Sequence, residues 1–241
     1  WERVTRKIGR WVDFENDYKT MDTPFMETIW WVFSQLWEQG RIYKAHRIMP
    51  YSWALNTPLS NFEAGRNYQD VQDPAITVRV RLIDFEFEDA SALIWTTTPW
   101  TLPSNGALVV GKKIKYVKVK TFNQYTFQPI TVILAKDLVG KYFSEKAKEI
   151  SLDHYKEGDK LIPWSIDAEF LGSDLLDMRY EQLFPYVTNE DLEANAFKVI
   201  LGDYVTTEDG TGIVHAAALF GADDYLVSKL AGVPPVVSKD D

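Results

Sequence analysis

From residue 75 to residue 217 the chain is a succession of short runs rich in β-branched residues, each stopped by glycine, proline or charge. AITVRVRLI (75–83), SALIWTTT (91–98), ALVV (107–110), KYVKVK (115–120), ITVILA (130–135), FKVIL (197–201), DYVTT (203–207) and GIVHAA (212–217) are each four to nine residues long. Runs of that length between such breakers read as strands. They predict an α+β fold: a β-barrel-like core of short, mostly antiparallel strands with peripheral helices. Asp209-Gly210 is a hairpin signal that pairs DYVTT with GIVH. Two helices interrupt the strands. One is expected near 188–195, with Thr188 as cap and Asp191 at the capping-box position. The other begins around Asp223 and ends before Gly232.

Ahead of the strands, residues 22–40 read as a helix. Thr23 or Asp22 can cap it, Pro24 suits its first position and Gly40 its exit. Phe25, Ile29, Phe33 and Leu36 recur at helical spacing, and Met26, Trp30 and Val32 widen the stripe into a face that wants a partner surface. The polar, turn-rich NTPLSNFEAG marks a boundary, dividing 1–62 from a second region, 63–241. The start, WERVTRKIGRW, has neither an initiator Met nor a signal-peptide layout, and reads as part of a longer chain.

Composition narrows the function. No apolar run approaches the roughly 18 to 20 residues of a membrane span. The chain has no cysteine and three scattered histidines, His46, His154 and His215, so neither a structural metal nor a cofactor is expected. A cysteine-free chain fits a reducing, cytoplasmic setting. A net charge of −9 argues against a free-standing nucleic-acid binder. It leaves room for a domain that handles one end of a nucleic acid gripped elsewhere. Lys118 and Lys120, alternating with Val117 and Val119, read as the wet face of a half-buried strand.

Two stretches could carry chemistry. WTTTPWTLPSN (95–105) puts Thr96, Thr97 and Thr98 at a strand end, with alternating side chains. Pro99 and Pro103 stiffen what precedes them. Unactivated hydroxyls orient rather than attack. EDGTGIVHAAALFGADDY (208–225) places His215 at or near a strand end and Asp223 and Asp224 at a helix start, where free amides favour the ionised carboxylate. Residue by residue, capping, core packing and plain β-propensity explain these positions better than chemistry does. No GxSxG, Walker-type loop or GxGxxG is present.

As a pair, WTTTPWTLPSN and GTGIVHAAALFGADDY resemble the editing domain of isoleucyl-tRNA synthetases, the large insertion of that class I enzyme. IGRWVDFENDYKTMD, WWVFSQLWEQGRIYKA and MPYSWALNTPLSNFE resemble the catalytic-core edge and connecting stem. NTPLSNFE leans toward the eukaryotic cytosolic branch. The ATP-site signatures HIGH and KMSKS are absent, so the resemblance implies no aminoacylation by these residues. Valine- and leucine-type editing domains usually carry TTRP where TTTP stands here. Ala218 stands where the family commonly has proline after the histidine, a departure that could loosen the loop there. The resemblance implies hydrolysis of valyl-tRNA of the isoleucine acceptor, and possibly of valyl-adenylate. It implies Asp224 on the α-ammonium, and Thr96, Thr97 and Thr98 on the terminal adenosine and the water. Trp100, Thr101 and Asn105 would shape the adenosine side, and His215 would bound the amino-acid pocket by bulk. The implied partners are the mischarged tRNA 3′ end and the rest of a parent synthetase, working as a monomer. A non-catalytic module that positions the tRNA end, or a valine- or leucine-type editing domain, remain the alternatives.

Overall fold

The computed structural model describes residues 1–83 and 90–237. The chain divides into two compact units, Trp1–His46 and Arg47–Asp241. In the first, α1 spans Glu2–Lys7 and α2 spans Thr23–Glu38. Pro24 lies in the first turn of α2, where its missing N–H leaves no bond unmade, and Gly40 at φ +67° turns the chain out of the helix. The expected helix is therefore present, slightly shortened at both ends. Its apolar residues Met26, Ile29, Trp30, Phe33 and Trp37 are exposed.

The second unit opens with a hairpin of β1 (Tyr51–Ser52) and β2 (Thr57–Pro58), then the single turn α3 (Asn61–Ala64), closed by a Ser60–Glu63 capping box. β3 (Ile76–Arg81), β4 (Ala90–Thr96), β5 (Ala107–Val110), β6 (Lys115–Phe122) and β7 (Pro129–Ala135) follow. Next come α4 (Val139–Tyr142), β8 (Ser165–Leu171), α5 (Glu190–Asn195), β9 (Lys198–Leu201), β10 (Ile213–Ala216) and α6 (Ala222–Leu230). One sheet runs β3-β4-β7-β6-β8 and another β10-β5-β9. The pairs β4–β7 and β5–β9 are parallel, and every other pair is antiparallel.

The sequence patterns explain this layering. ALIW and ALVV are continuous apolar runs because β4 and β5 are covered on both faces. One core joins Val80, Ile94, Leu108, Val109, Tyr116, Ile133, Ile200 and Ile213. A second core lies under residues of opposite parity on the same five-stranded sheet: Leu93, Val117, Val119, Val132 and Leu134, closed by Trp164. β3, at the edge, alternates instead, with Val80 buried between exposed Arg79 and Arg81.

The expected α+β class holds: short, mostly antiparallel strands form the core, with helices at its periphery. The core does not close into a barrel among the described residues; single bridges at Leu82–Tyr180 and Arg179–Lys198 link its two larger sheets. Other expectations need correction. Residues 203–207 form no strand, so the Asp209-Gly210 hairpin does not exist as expected; β10 pairs with β5, placing His215 opposite Leu108. The turn itself is real, with Gly210 at φ +70°. β4 ends at Thr96, leaving Thr97 and Thr98 off the ladder. The Thr96 hydroxyl accepts the Thr98 N–H at 3.0 Å, and Pro99 has no N–H to continue pairing. Asn189 caps α5 through the Leu192 N–H at 2.9 Å, so Thr188 is not the cap, and Asp191 instead accepts from Asn195. β8 was not anticipated; SIDAEFL carries too few β-branched residues and too much charge to announce itself.

Candidate functional site

β4 and β10 deliver the two sequence stretches to one place. A cleft of about 410 Å³ is lined by Trp95, Thr96, Thr97, Thr98, Trp100, Thr101, Val214, His215, Phe220 and Asp224. Of the residues expected at a site, Thr96, Thr97, Thr98, Trp100, Thr101, His215 and Asp224 therefore converge. Asn105 does not line the cleft; it is 3% exposed and holds His215 from behind.

The threonine side is a chain of hydroxyls. Thr96 Oγ1 and Thr98 Oγ1 are 3.3 Å apart, and Thr98 Oγ1 and Thr101 Oγ1 3.4 Å. The turn Pro99–Ser104 curls Thr101 back, and its hydroxyl donates to the Thr98 carbonyl at 2.8 Å. Thr96 and Thr101 are buried, whereas Thr97 and Thr98 are exposed.

His215 sits in a network that fixes its tautomer from both sides. Tyr180 OH donates to Asn105 Oδ1 at 2.6 Å, which identifies the other amide atom as nitrogen. Asn105 Nδ2 donates to the Ala107 carbonyl at 3.0 Å and to His215 Nδ1 at 3.2 Å. Nδ1 is thus the acceptor and Nε2 carries the proton. Nε2 lies 2.8 Å from Thr101 Oγ1, whose own proton is committed to Thr98 O, so the imidazole donates there. Burial pushes the His215 pKa down from 6.5 to about 4. At neutral pH the ring is uncharged with both nitrogens engaged, a rigid wall and no free base.

Asp224 lies in the first turn of α6, whose cap, Gly221, has no side chain. The carboxylate is held by two donors from elsewhere: Ala217 N–H to Oδ2 at 3.1 Å and Tyr204 OH to Oδ1 at 3.0 Å. Burial raises its pKa above the usual carboxylate value, the two donors lower it and neighbouring Asp223 raises it. The two aimed hydrogen bonds thus oppose the desolvation. Trp100 and Phe220, 61% and 60% exposed, are large aromatic surfaces among the lining residues.

Sequence reasoning missed Trp95, Val214 and Phe220 in the lining and Tyr180 and Tyr204 behind it. Tyr180 and Tyr204 reach their partners over 75 and 20 positions, with no local signal. Phe220, between the two recognised halves of ALFGADDY, could have been found as an apolar residue beside a helix start.

Comparison with known proteins bears on this arrangement. A model for tRNA synthetases class I (I, L, M and V) matches residues 1–212. The isoleucine–tRNA ligase of Cytophaga hutchinsonii is 51% identical over 245 residues, covering 100% of this chain and 22% of that protein. That of Bacteroides fragilis is 51% identical over 98% of this chain and 21% of its own length, and the cytoplasmic enzyme of Arabidopsis thaliana 45% identical over 95% and 20%. The chain thus spans about a fifth of the curated relatives it matches. The leaning toward the eukaryotic branch finds no support, since these bacterial relatives are more similar than the plant one. Among solved structures, the P. knowlesi cytosolic leucyl-tRNA synthetase editing domain is similar at a TM-score of 0.43 and 12% identity, over 63% of this chain and 60% of that one. The match over residues 1–212 is decisive: the chain belongs to the class I tRNA synthetases of the isoleucine, leucine, methionine and valine group.

Proposed function

We propose that residues 63–241 are the editing domain of an isoleucyl-tRNA synthetase, hydrolysing the valyl ester of its tRNA, with valyl-adenylate as a second substrate. Residues 1–62 then belong to the catalytic-core edge and connecting stem of a longer cytoplasmic enzyme, working as a monomer with no cofactor in this domain. The reason for a second site is energetic. A pocket that accepts isoleucine rejects valine by only about 1–3 kcal/mol for the missing methylene, so errors must be destroyed afterwards.

The observation that carries the reading is the meeting of the hydroxyl strand and a hydrogen-bonded carboxylate in one small cleft. On this reading Asp224 holds the α-ammonium, which fixes the ester carbonyl against the threonines. The exposed hydroxyls of Thr97 and Thr98 orient the adenosine and a water. Trp100 and Phe220 offer faces for the terminal base. His215, neutral and tied at both nitrogens, bounds the side-chain pocket and turns away the larger isoleucine. Thr101 and Asn105 act through that wall. With no free strong base at hand, acceleration comes from locating the water against the carbonyl and from donors near the developing oxyanion.

The test is valine release from valyl-tRNA of the isoleucine acceptor by the full-length protein carrying this chain. Asp224→Ala is expected to abolish release while leaving the fold intact. Retained hydrolysis would remove the ammonium-anchor role. If Thr98→Ala with Asp224→Ala left hydrolysis intact and weakened tRNA binding, the domain would be a non-catalytic positioning module. Preferred hydrolysis of threonyl or norvalyl esters would instead mark a valine- or leucine-type domain.

A further inference from the structure

We propose that Tyr204 is a positioning residue of this cleft: its hydroxyl orients the Asp224 carboxylate toward the substrate amine. The inference rests on the ammonium-anchor reading of Asp224 and deepens it. Tyr204 lies in the turn after β9, outside the residues that line the cleft, and its hydroxyl is directed at Asp224. Its hydroxyl donates to Asp224 Oδ1 at 3.0 Å while the Ala217 N–H donates to Oδ2 at 3.1 Å. Each oxygen therefore has one donor behind it, which sets the plane of the carboxylate and leaves its remaining lone pairs to the cleft. Two donors from separate segments, one on the loop after β10 and one on the turn after β9, fix that plane more firmly than either alone.

The ring is itself held. It packs against the main core, and a Cβ added at Gly202 would fall 3.1 Å from Tyr204 Cε1 and 2.5 Å from Val109 Cγ1. The absence of a side chain at Gly202 is what lets the ring lie over the end of β9. Burial first, and then the facing Asp224, push the phenol far above its ordinary pKa, so it stays a donor throughout the working range.

The groups facing Asp224 are Asp223 on its own helix, Tyr204 from the turn after β9, His215 on β10 and the Ala217 amide. Removing the phenol hydroxyl deletes an interaction that favours the ionised carboxylate, so the Asp224 pKa rises further. Activity on the acid side must then fall off at higher pH than in the wild type.

The experiment compares Tyr204→Phe with wild type in the full-length protein, using two non-hydrolysable valyl-adenosine mimics, one bearing the α-amine and one lacking it. Tyr204→Phe keeps the ring, so its thermal unfolding should stay near that of wild type. The expected result is a roughly tenfold loss of affinity for the amine-bearing mimic, the scale of one charge-assisted hydrogen bond. The amine-free mimic should bind unchanged, and the acid limb of valine release should move to higher pH. Equal loss for both mimics, or no loss for either with an unmoved pH profile, overturns the proposal and leaves Tyr204 a packing residue. Asp224→Ala runs alongside. If it too leaves the amine-bearing mimic bound as in wild type, the anchor reading itself has failed rather than the tyrosine's part in it.

Discussion

At the scale of single residues, His215 shows how a polar group is made inert. Buried and neutral, it prefers to lose its proton, and the unfolded chain binds one that the folded chain does not between pH 6.5 and about 4. Because the folded pKa is the lower of the two, stability is complete above pH 6.5 and is lost as pH falls toward 4. The loss attributable to this side chain is about 3 kcal/mol by pH 4. Urea unfolding at pH 7 and pH 4 should show it, and His215→Gln should show a correspondingly smaller difference between the two pH values. An identical acid loss in the variant would mean that the imidazole is not desolvated. Candidate residues at this scale were legible where they lie within one stretch: the threonines with Trp100, and His215 with Asp224. Asn105 is legible as a candidate, but its buried place behind His215 is not, because sequence does not show which way an amide's hydrogen bonds run. Tyr180 and Tyr204 were illegible, since a phenol that reaches its partner across the fold leaves no spacing to read.

At the scale of elements, most strands were legible, DYVTT and β8 excepted, and their pairing was not. Alternation and β-branching identify a strand, but its neighbour is chosen by which ladder buries the most apolar surface. GIVHAA found β5 because Ala107–Val110 offers a run buried on both faces, and no turn signal encodes that. The turn that feeds β10 is still strictly specified. Gly212 has φ +75°, and a Cβ there would come within 2.4 Å of the Ala135 Cβ. Gly212→Ala should therefore lower unfolding free energy by about 2–4 kcal/mol, from left-handed backbone strain plus overpacking. Gly158, at φ +90° with nothing within 4 Å of an added Cβ, provides the comparison. Gly158→Ala should cost only about 1–2 kcal/mol. Equal costs in urea titrations would show that the contact with Ala135 relaxes freely.

At the scale of the whole molecule, net charge and the seam between the sheets matter most. A chain at −9 cannot hold a polyanion by broad electrostatics. If it handles only the tRNA end, residues 1–241 alone should bind tRNA weakly, with few phosphates engaged. A plot of log affinity against log salt should then have a slope of about −2 to −3, three or four single-strand contacts at roughly 0.7 each. Fluorescence titrations in rising potassium chloride measure it, and a slope as steep as about −6 would show many more phosphates engaged than the tRNA end supplies. The sheets' only described direct strand-type links at one corner run through Arg179 and Tyr180. Tyr180 also starts the relay of hydrogen bonds that pins the imidazole. One short stitch thus serves both as a fastener of the scaffold and as the anchor of the buried imidazole. Breathing that unzips that corner slackens the histidine's hold at the same moment, so on the proposed reading discrimination between two side chains differing by one carbon would be tied to the stiffness of a joint away from the cleft.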